Sequence, residues 1–486
     1  MSNRWILACP LMFALWLNAA NARAAEPAPS VDAVVAQLVR ESLASNLQAQ
    51  SAEATVAQRL AALDQARARY LPALDLDGRY TRADGGRTID FPLGDLLNPV
   101  YATLNQLLVQ QGQSPQFGTV GNQRFSLLRT REQETKLTLT QPLYDARIPA
   151  AVAASRAQFD GASLGLAAFR AQLARDVRQA YYRWLRARDT VTILDATAEL
   201  TRSNLRVNES LYRNGKITRD LVYRAEADLL EIEQQRLDAA NRQQLAQSYV
   251  NLLRNAPFDQ AMPAAAVSDD DIVRQAADLG LRLREPALDL QPLQQTAADS
   301  RAEIAQLDAG VAAANASQRI ARAAFKPRLV FAVEGGIQGE DYGFTADDRY
   351  VLASVLLRFN VFNGGADRAG LRSALAATSE LRANRDYLEQ QIRLQVQSAL
   401  QSVRVAQASL VTAAKRLEAA EGSFKIAAKK RDLGQINQTE FIDARRLLTD
   451  ARLNLNVTRF EALASLAELE YAVGLPPRDV PTEMSP

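Results

Sequence analysis

Histidine is absent from this 486-residue sequence, and cysteine occurs once, at position 9. These absences exclude histidine-based catalytic triads, the usual zinc sites and intrachain disulfides. Past residue 24 no stretch approaches 18 consecutive apolar residues, so any membrane crossing has to be made by strands. We predict no cofactor, no metal site and no enzymatic activity, because the carboxylate pairs lie on extended helical patterns with no evident pocket.

The first residues have the pattern of a secretory signal. Arg4 precedes an apolar run, and residues 22–24 read Ala-Arg-Ala, a cleavage site. We therefore predict a signal peptide over 1–24. Removing Arg4 and Arg23 leaves 55 basic residues (57 minus 2) against 55 acidic ones, so nothing favours a nucleic-acid partner.

The sequence contains one unit written twice. Residues 137–157 align with 355–375, and Gly215 aligns with Gly434 at an offset of 219 (434 minus 215). Apolar residues recur at alternating steps of three and four before each glycine, which is the spacing of a coiled-coil seam. We predict long helices over about 147–213 and 366–432, each about 100 Å long at 1.5 Å per residue.

Short alternating segments precede each long helix and predict strands at about 73–82, 134–144, 328–338 and 350–362. One face of each strand is apolar and the other carries charge, the pattern of a transmembrane strand whose polar side faces a lumen. A one-sided soluble sheet would give the same alternation. The residues predicted to face the lumen are Asp75, Asp77, Arg79, Lys136, Arg328 and Arg358, together with Glu334 and Asn360. Four strands cannot close a barrel, so subunits would have to share one.

The remaining boundaries follow from the repeat. We predict a first repeat over 25–257, a linker or equatorial segment over 258–290, a second repeat over 291–475 and a disordered tail over 476–486. Each repeat would begin with one continuous helix (31–69 and 291–324) and end with a return helix (218–253 and 438–473). The first hairpin is about 37 residues longer than the second (71 minus 34), and we interpret the excess as a surface loop with one short helix.

This arrangement resembles the TolC-type outer membrane efflux proteins over essentially the whole mature chain. The resemblance is carried by "YLPALDLDGRY", "LTLTQPLYDARIPAA", "VLLRFNVFNGGADRAG" and the paired segments around Gly215 and Gly434. It implies a mixed fold of all-α coiled coil with transmembrane β: a duplicated helix-strand-strand-helix unit forming a trimeric 12-stranded β-barrel plus a periplasmic α-helical barrel. It further implies an outer membrane exit duct of a tripartite efflux or type I secretion system.

The resemblance also implies roles for residues near the two glycines. The adaptor would dock at the tips, formed by Asn214, Gly215, Lys216, Leu433, Gly434 and Gln435, although the family's valine before each glycine is missing here. Glu440 and Asp443, with Asp220 in the first repeat, would form an acidic periplasmic gate. Contacts holding the gate shut would involve Tyr212, Arg219 and Arg431. A second interpretation stays open for Glu440, which fits a capping box with Asn437.

The partners implied are two further copies of the chain, a periplasmic adaptor (membrane fusion protein), an inner-membrane pump of RND, ABC or MFS type, and outer membrane lipid. The alternative is a periplasmic coiled-coil spacer or adhesin without a pore. Such a protein has no need of charged residues along one strand face. The charges that argue against it are Asp75, Asp77, Arg79 and Arg358.

Overall fold

The computed structural model describes residues 30–283 and 288–476. The predicted signal peptide (1–24) and the predicted tail beyond residue 476 lie outside this range. The described residues form two compact units, one of residues 30–46, 171–283, 288–293 and 396–476, and one of residues 47–170 and 294–395. We refer to them as the helical unit and the strand unit.

The helical unit is built around a seam of small and apolar side chains. Val177, Ala180 and Trp184 in the first repeat, and Val396 and Ala399 in the second, are buried as the three-and-four spacing predicts. Its helices are α1 (Val31–Ser45), the later part of α4 (Arg147–Arg213), α5 (Arg219–Leu253), α6 (Asp269–Leu283), the later part of α9 (Ala366–Asp432) and α10 (Gln438–Val473).

The strand unit contains a four-stranded antiparallel sheet in the order β1-β4-β5-β6 and a separate two-stranded hairpin, β2-β3. The strands are β1 (Ala73–Arg82), β2 (Thr88–Phe91), β3 (Gln123–Ser126), β4 (Arg131–Tyr144), β5 (Arg328–Gly339) and β6 (Arg349–Arg358). Its complete helices are α2 (Leu47–Ala68), α3 (Leu93–Gln110) and α8 (Ala302–Arg322). It also contains the first parts of α4 and α9 and all but the first four residues of α7 (Leu290–Ser300).

The prediction of one continuous helix at the start of each repeat is wrong. The first helix is interrupted at Asn46, whose backbone is extended and whose side-chain amide donates to the carbonyl of Leu253 at 2.8 Å. The second is interrupted at Arg301, where the guanidinium pairs with Glu303 at 2.8 Å. Both side chains are buried and bond to a distant segment: Asn46 to the last carbonyl of α5, and Arg301 to the side chain of Gln395 at 3.3 Å.

Two further boundaries differ from prediction. Strand β6 ends at Arg358 and not near 362, because its partner β5 begins at Arg328, directly opposite Arg358. The chain then turns through Gly364 and Gly365, both with positive φ. Asn360 therefore lies outside the strand, and its side chain bonds to Asp367.

The segment predicted as a linker, 258–290, contains helix α6. Ser268 and Asp271 cap its first turn reciprocally: the Ser268 N–H donates to the Asp271 carboxylate at 2.8 Å, and the Asp271 N–H donates to the Ser268 hydroxyl at 3.3 Å. Burial raises the pKa of Asp271, but the hydrogen bonds from Ser268 and the charge of Arg274 outweigh it and hold the pKa below its ordinary value. Helix α6 is tied to α10 by an ion pair of 2.7 Å between Arg459 and Asp269.

The long helices are strongly polar on their exposed sides. Across the described ranges, no helix has both the length and the apolar character that a membrane crossing requires.

Candidate functional site

The four-stranded sheet has one polar and one apolar face. Directly opposed residues share a face, and Asp77 pairs with Lys136 while Arg328 pairs with Arg358. With the alternation along each strand, this register puts all six residues predicted to face a lumen on the same side. Those residues are Asp75, Asp77, Arg79, Lys136, Arg328 and Arg358.

Charges on the polar face are paired across strands. Arg79 on β1 contacts Glu134 on β4 at 3.0 Å, and Lys136 on β4 contacts Glu334 on β5 at 3.5 Å. Glu134 was missed in the sequence analysis, although its position two residues before Lys136 assigns it to the polar face. The polar face therefore carries both signs of charge.

The opposite face is apolar and open. Leu74 and Leu76 on β1, Leu137 on β4, and Val355 and Leu357 on β6 are all exposed on it. A contiguous exposed apolar surface of this kind marks contact with lipid or with protein.

Each long helix ends in a left-handed glycine. Gly215 has φ 67° and Gly434 has φ 69°, a conformation that L side chains rarely adopt. The Lys216 N–H donates to the Leu211 carbonyl at 2.8 Å, and the Gly215 N–H donates to the Tyr212 carbonyl at 2.9 Å. This pair of bonds is the Schellman motif, and the equivalent bonds recur around Gly434. The long helix stops here because these turns satisfy its last carbonyls.

The predicted acidic residues lie within the first two turns of the return helices. Glu440 and Asp443 on α10 and Asp220 on α5 are exposed. The Asn437 side chain accepts the Glu440 N–H at 2.8 Å, so the backbone half of the predicted capping box is present. Among the described residues, the carboxylates of Glu440 and Asp443 have no hydrogen-bond or ion-pair partner.

The two predicted contact arginines are engaged within their own hairpins. The Arg431 guanidinium lies 4.3 Å from the centroid of the Phe441 ring, and Phe441 packs against Phe424 at 5.8 Å. Arg219 lies 5.2 Å from the centroid of the Tyr223 ring. The contact of Arg431 joins the end of α9 to the beginning of α10, whereas that of Arg219 lies within the first turns of α5. Tyr212, the third predicted contact residue, is exposed at the end of α4.

A buried ion pair joins the two return helices and was missed in the sequence analysis. Arg445 on α10 donates to Asp228 on α5 at 2.7 Å, and both side chains are almost inaccessible to water. Arg446, half exposed, reaches Asp228 at 3.4 Å and Glu231 at 3.2 Å. The available signal was that Arg445 occupies a position of the apolar stripe of α10, four residues after Phe441.

The fold and the two-faced sheet define a class: a duplicated subunit of an outer membrane channel with a helical periplasmic extension. A family model described as "Outer membrane efflux protein" matches residues 38–255 and 293–475, and the chain belongs to that family. The resemblance to TolC-type proteins is confirmed. Members of the family are trimeric outer membrane channels that work with adaptor and inner-membrane pump partners.

Solved structures share the fold at low sequence identity. The CmeC outer membrane channel of Campylobacter jejuni is 15% identical over 97% of this chain and 94% of its own, with a TM-score of 0.73. The VceC outer membrane protein of Vibrio cholerae is 18% identical over 93% and 100%, with a TM-score of 0.72. The MtrE outer membrane channel of Neisseria gonorrhoeae is 15% identical over 92% and 90%, with a TM-score of 0.68. No curated protein sequence matches the chain significantly.

Family membership gives the protein its function and place. It is an exit duct of an efflux system, located in the outer membrane and extending into the periplasm, and it is a transport channel and not an enzyme. The predictions of fold class and function are confirmed at this level, and the poreless spacer is set aside.

Proposed function

We propose that three copies of this chain close one 12-stranded barrel. We further propose that the channel is gated at the tips of the two repeats, which span 25–257 and 291–475. The open edges of the sheet support the closure. Within the described part of the chain, β1 pairs only with β4 and β6 pairs only with β5. Unpaired strand edges are not tolerated in lipid, and joining β1 of one copy to β6 of the next removes all of them.

The two faces of the sheet support the direction of closure. The apolar face, with Leu74 and Leu76, turns to lipid, and the polar face, with Asp75, Asp77 and Arg79, turns to the lumen. Lys136, Arg328 and Arg358 line the lumen on the same face. Cross-strand pairing of Arg79 with Glu134 keeps the lumenal surface nearly balanced in charge.

The gate rests on one observation: Glu440 and Asp443 are exposed carboxylates without partners, directly after the tip at Gly434. Threefold symmetry repeats them into six carboxylates, and Asp220 adds a charge from the first repeat. A ring of one charge sign narrows the opening and raises the local concentration of cations. The structure of the MtrE channel is that of an open state, which fits a channel with more than one conformation.

The exposed tips are the proposed docking site for the adaptor. Asn214, Gly215, Lys216, Leu433, Gly434 and Gln435 are all exposed, and their Schellman turns leave the side chains next to each glycine facing solvent. The inner-membrane partner would be a pump of RND, ABC or MFS type, in drug efflux or in type I secretion. Tyr212 and Arg219 are proposed to contact the neighbouring tips in the closed state, while Arg431 orients α10 by its contact with Phe441.

Single-channel recording in planar bilayers tests the gate. We expect the double variant Glu440→Ala, Asp443→Ala to raise conductance and to lower the preference for cations by about tenfold, since the concentrating charge is removed. The control double variant, Glu209→Ala with Glu226→Ala, removes two exposed carboxylates near the other tip. Unchanged conductance in the first variant, or an equal rise in both, would overturn the assignment.

A further inference from the structure

Helix α3, in the long insertion of the first hairpin, turns two asparagines toward its own chain. The Asn98 side chain accepts the Val120 N–H at 2.8 Å and donates to the Val120 carbonyl at 2.9 Å. Asn105 accepts the N–H groups of Gln116 and Phe117 at 3.0 Å each and donates to the Phe117 carbonyl at 2.7 Å. Two asparagines of the helix thus pair with the backbone of the segment 113–122.

The N-terminus of α3 is capped by the same segment. The Asn122 side chain accepts the N–H groups of Gly94 and Asp95 at 2.9 and 3.1 Å. A Cβ at Gly94 would lie 2.3 Å from the Val120 carbonyl oxygen, so helix and segment are in close contact. Tyr101 packs on Phe117 with ring centroids 5.2 Å apart. The asparagine side of α3 is therefore covered by its own insertion.

The other side of α3 is an apolar stripe facing solvent. Leu96, Val100, Leu104 and Leu107 follow each other at steps of four, four and three, and their side chains are 61, 53, 38 and 50% exposed. Such a stripe normally faces a core, with the polar residues outside. Here the arrangement is reversed, so the stripe requires a cover that one copy of the chain does not supply.

The charged residues of α3 indicate whether lipid or protein covers the stripe. A helix lying on a membrane carries Lys and Arg on its polar face. The only charged residue of α3 is Asp95, and the asparagine face is occupied by the chain itself. The stripe thus lacks the basic flank that would hold it at a lipid surface.

The position of the insertion in the sheet indicates which protein covers the stripe: a neighbouring copy of this chain. The insertion connects β1, an edge strand, to β4, so it begins where the neighbouring copy starts in the proposed trimer. We propose that the α3 stripes of the three copies pack against one another and form a helical cap over the outer end of the channel. This inference rests on the proposed trimeric closure.

Cysteine cross-linking of the full chain in outer membranes tests the cap. In a Cys9→Ser background, Leu107→Cys and Val100→Cys each place one thiol on the stripe, and Ala102→Cys places one on the exposed opposite side of α3. With a flexible bismaleimide we expect most of the protein in each of these two variants to migrate as a covalent dimer in denaturing gels. Ala102→Cys should remain monomeric and should react fully with a membrane-impermeant maleimide, from which the stripe thiols are protected.

Native mass spectrometry of the same samples reports the trimer separately. A trimer whose stripe thiols do not cross-link overturns the cap and leaves the channel proposal standing. Quenching of a fluorophore at position 107 by brominated lipid would then identify lipid as the cover. Absence of the trimer overturns both proposals.

Discussion

The buried pair of Asp228 and Arg445 leads to a quantitative prediction about the helical unit. Burial lowers the pKa of Arg445 below its ordinary value, and the charge of Asp228 opposes this effect. Two guanidinium nitrogens of Arg445 and one carboxylate oxygen of Asp228 are buried with no hydrogen-bond partner in the described residues. Hydrogen bonds therefore offset only part of the free energy that burying the two charges costs.

Removing one partner should be expensive. Arg445→Met keeps the volume of the side chain but leaves the Asp228 carboxylate buried, and breaking a buried pair in this way costs about 3–5 kcal/mol. We expect the lower end, about 3 kcal/mol, because Arg446 still lies 3.4 Å from the same carboxylate. Since 1.4 kcal/mol is a factor of ten, hydrogen exchange of the α5 and α10 amides around the pair should accelerate about a hundredfold.

Arg446 is the matched control, since it contacts the same carboxylate from a half-exposed position. Arg446→Met should cost about 0.2–1 kcal/mol, as exposed ion pairs do, and accelerate exchange at most about fivefold. The double variant Asp228→Leu, Arg445→Met should exchange as slowly as the wild type or more slowly. If Arg445→Met accelerates exchange no more than Arg446→Met, the Arg445–Asp228 pair contributes no more to stability than an exposed pair, and the prediction is wrong.

Three further predictions follow from the tips, the sheet and α6. Gly434→Ala should cost about 1–2 kcal/mol by forcing a side chain into the left-handed region. Gly422→Ala, inside the preceding helix α9 and clear of neighbours, should instead stabilise by about 0.5–1 kcal/mol, and hydrogen exchange at the tip distinguishes the two variants. Leu76→Arg should cost about 2–4 kcal/mol on the lipid face and reduce the yield of assembled channel in outer membranes, while Asp75→Arg, one residue away on the polar face, should assemble normally. Because the pKa of Asp271 is lowered on folding, its stabilisation is present above the ordinary value of 3.8 and is lost as pH falls through the folded value; thermal unfolding should show a deficit for Asp271→Asn at pH 6 that vanishes in acid.

Local patterns carried most of the architecture. The seam of three-and-four spacing, the alternation from Leu74 to Tyr80 and the glycines at 215 and 434 each report a backbone geometry that the residues themselves impose. The interruptions at Asn46 and Arg301 could not be predicted in this way. Their neighbours along the chain continue a helical pattern, and the partners that folding brings to the breaks, Leu253 for Asn46 and Gln395 for Arg301, are distant in sequence.

In the candidate site, too, some features follow from local sequence patterns and others from contacts between distant segments. Strand alternation assigns Asp75, Asp77 and Arg79 to a common face without knowledge of the partner strands. Which charges meet across that face depends on register, which brings Glu134 opposite Arg79.

The sequence alone determined the duplication, the helical and strand periods, the two glycine turns and the family, because each of these is written in spacings within one segment. Tertiary structure alone decided what is buried and what is left uncovered. It paired Arg445 with Asp228, residues 217 positions apart (445 minus 228), and it turned the asparagines of α3 inward so that its leucines face outward. Both outcomes depend on contacts between segments distant in sequence, whose free energies no local pattern contains.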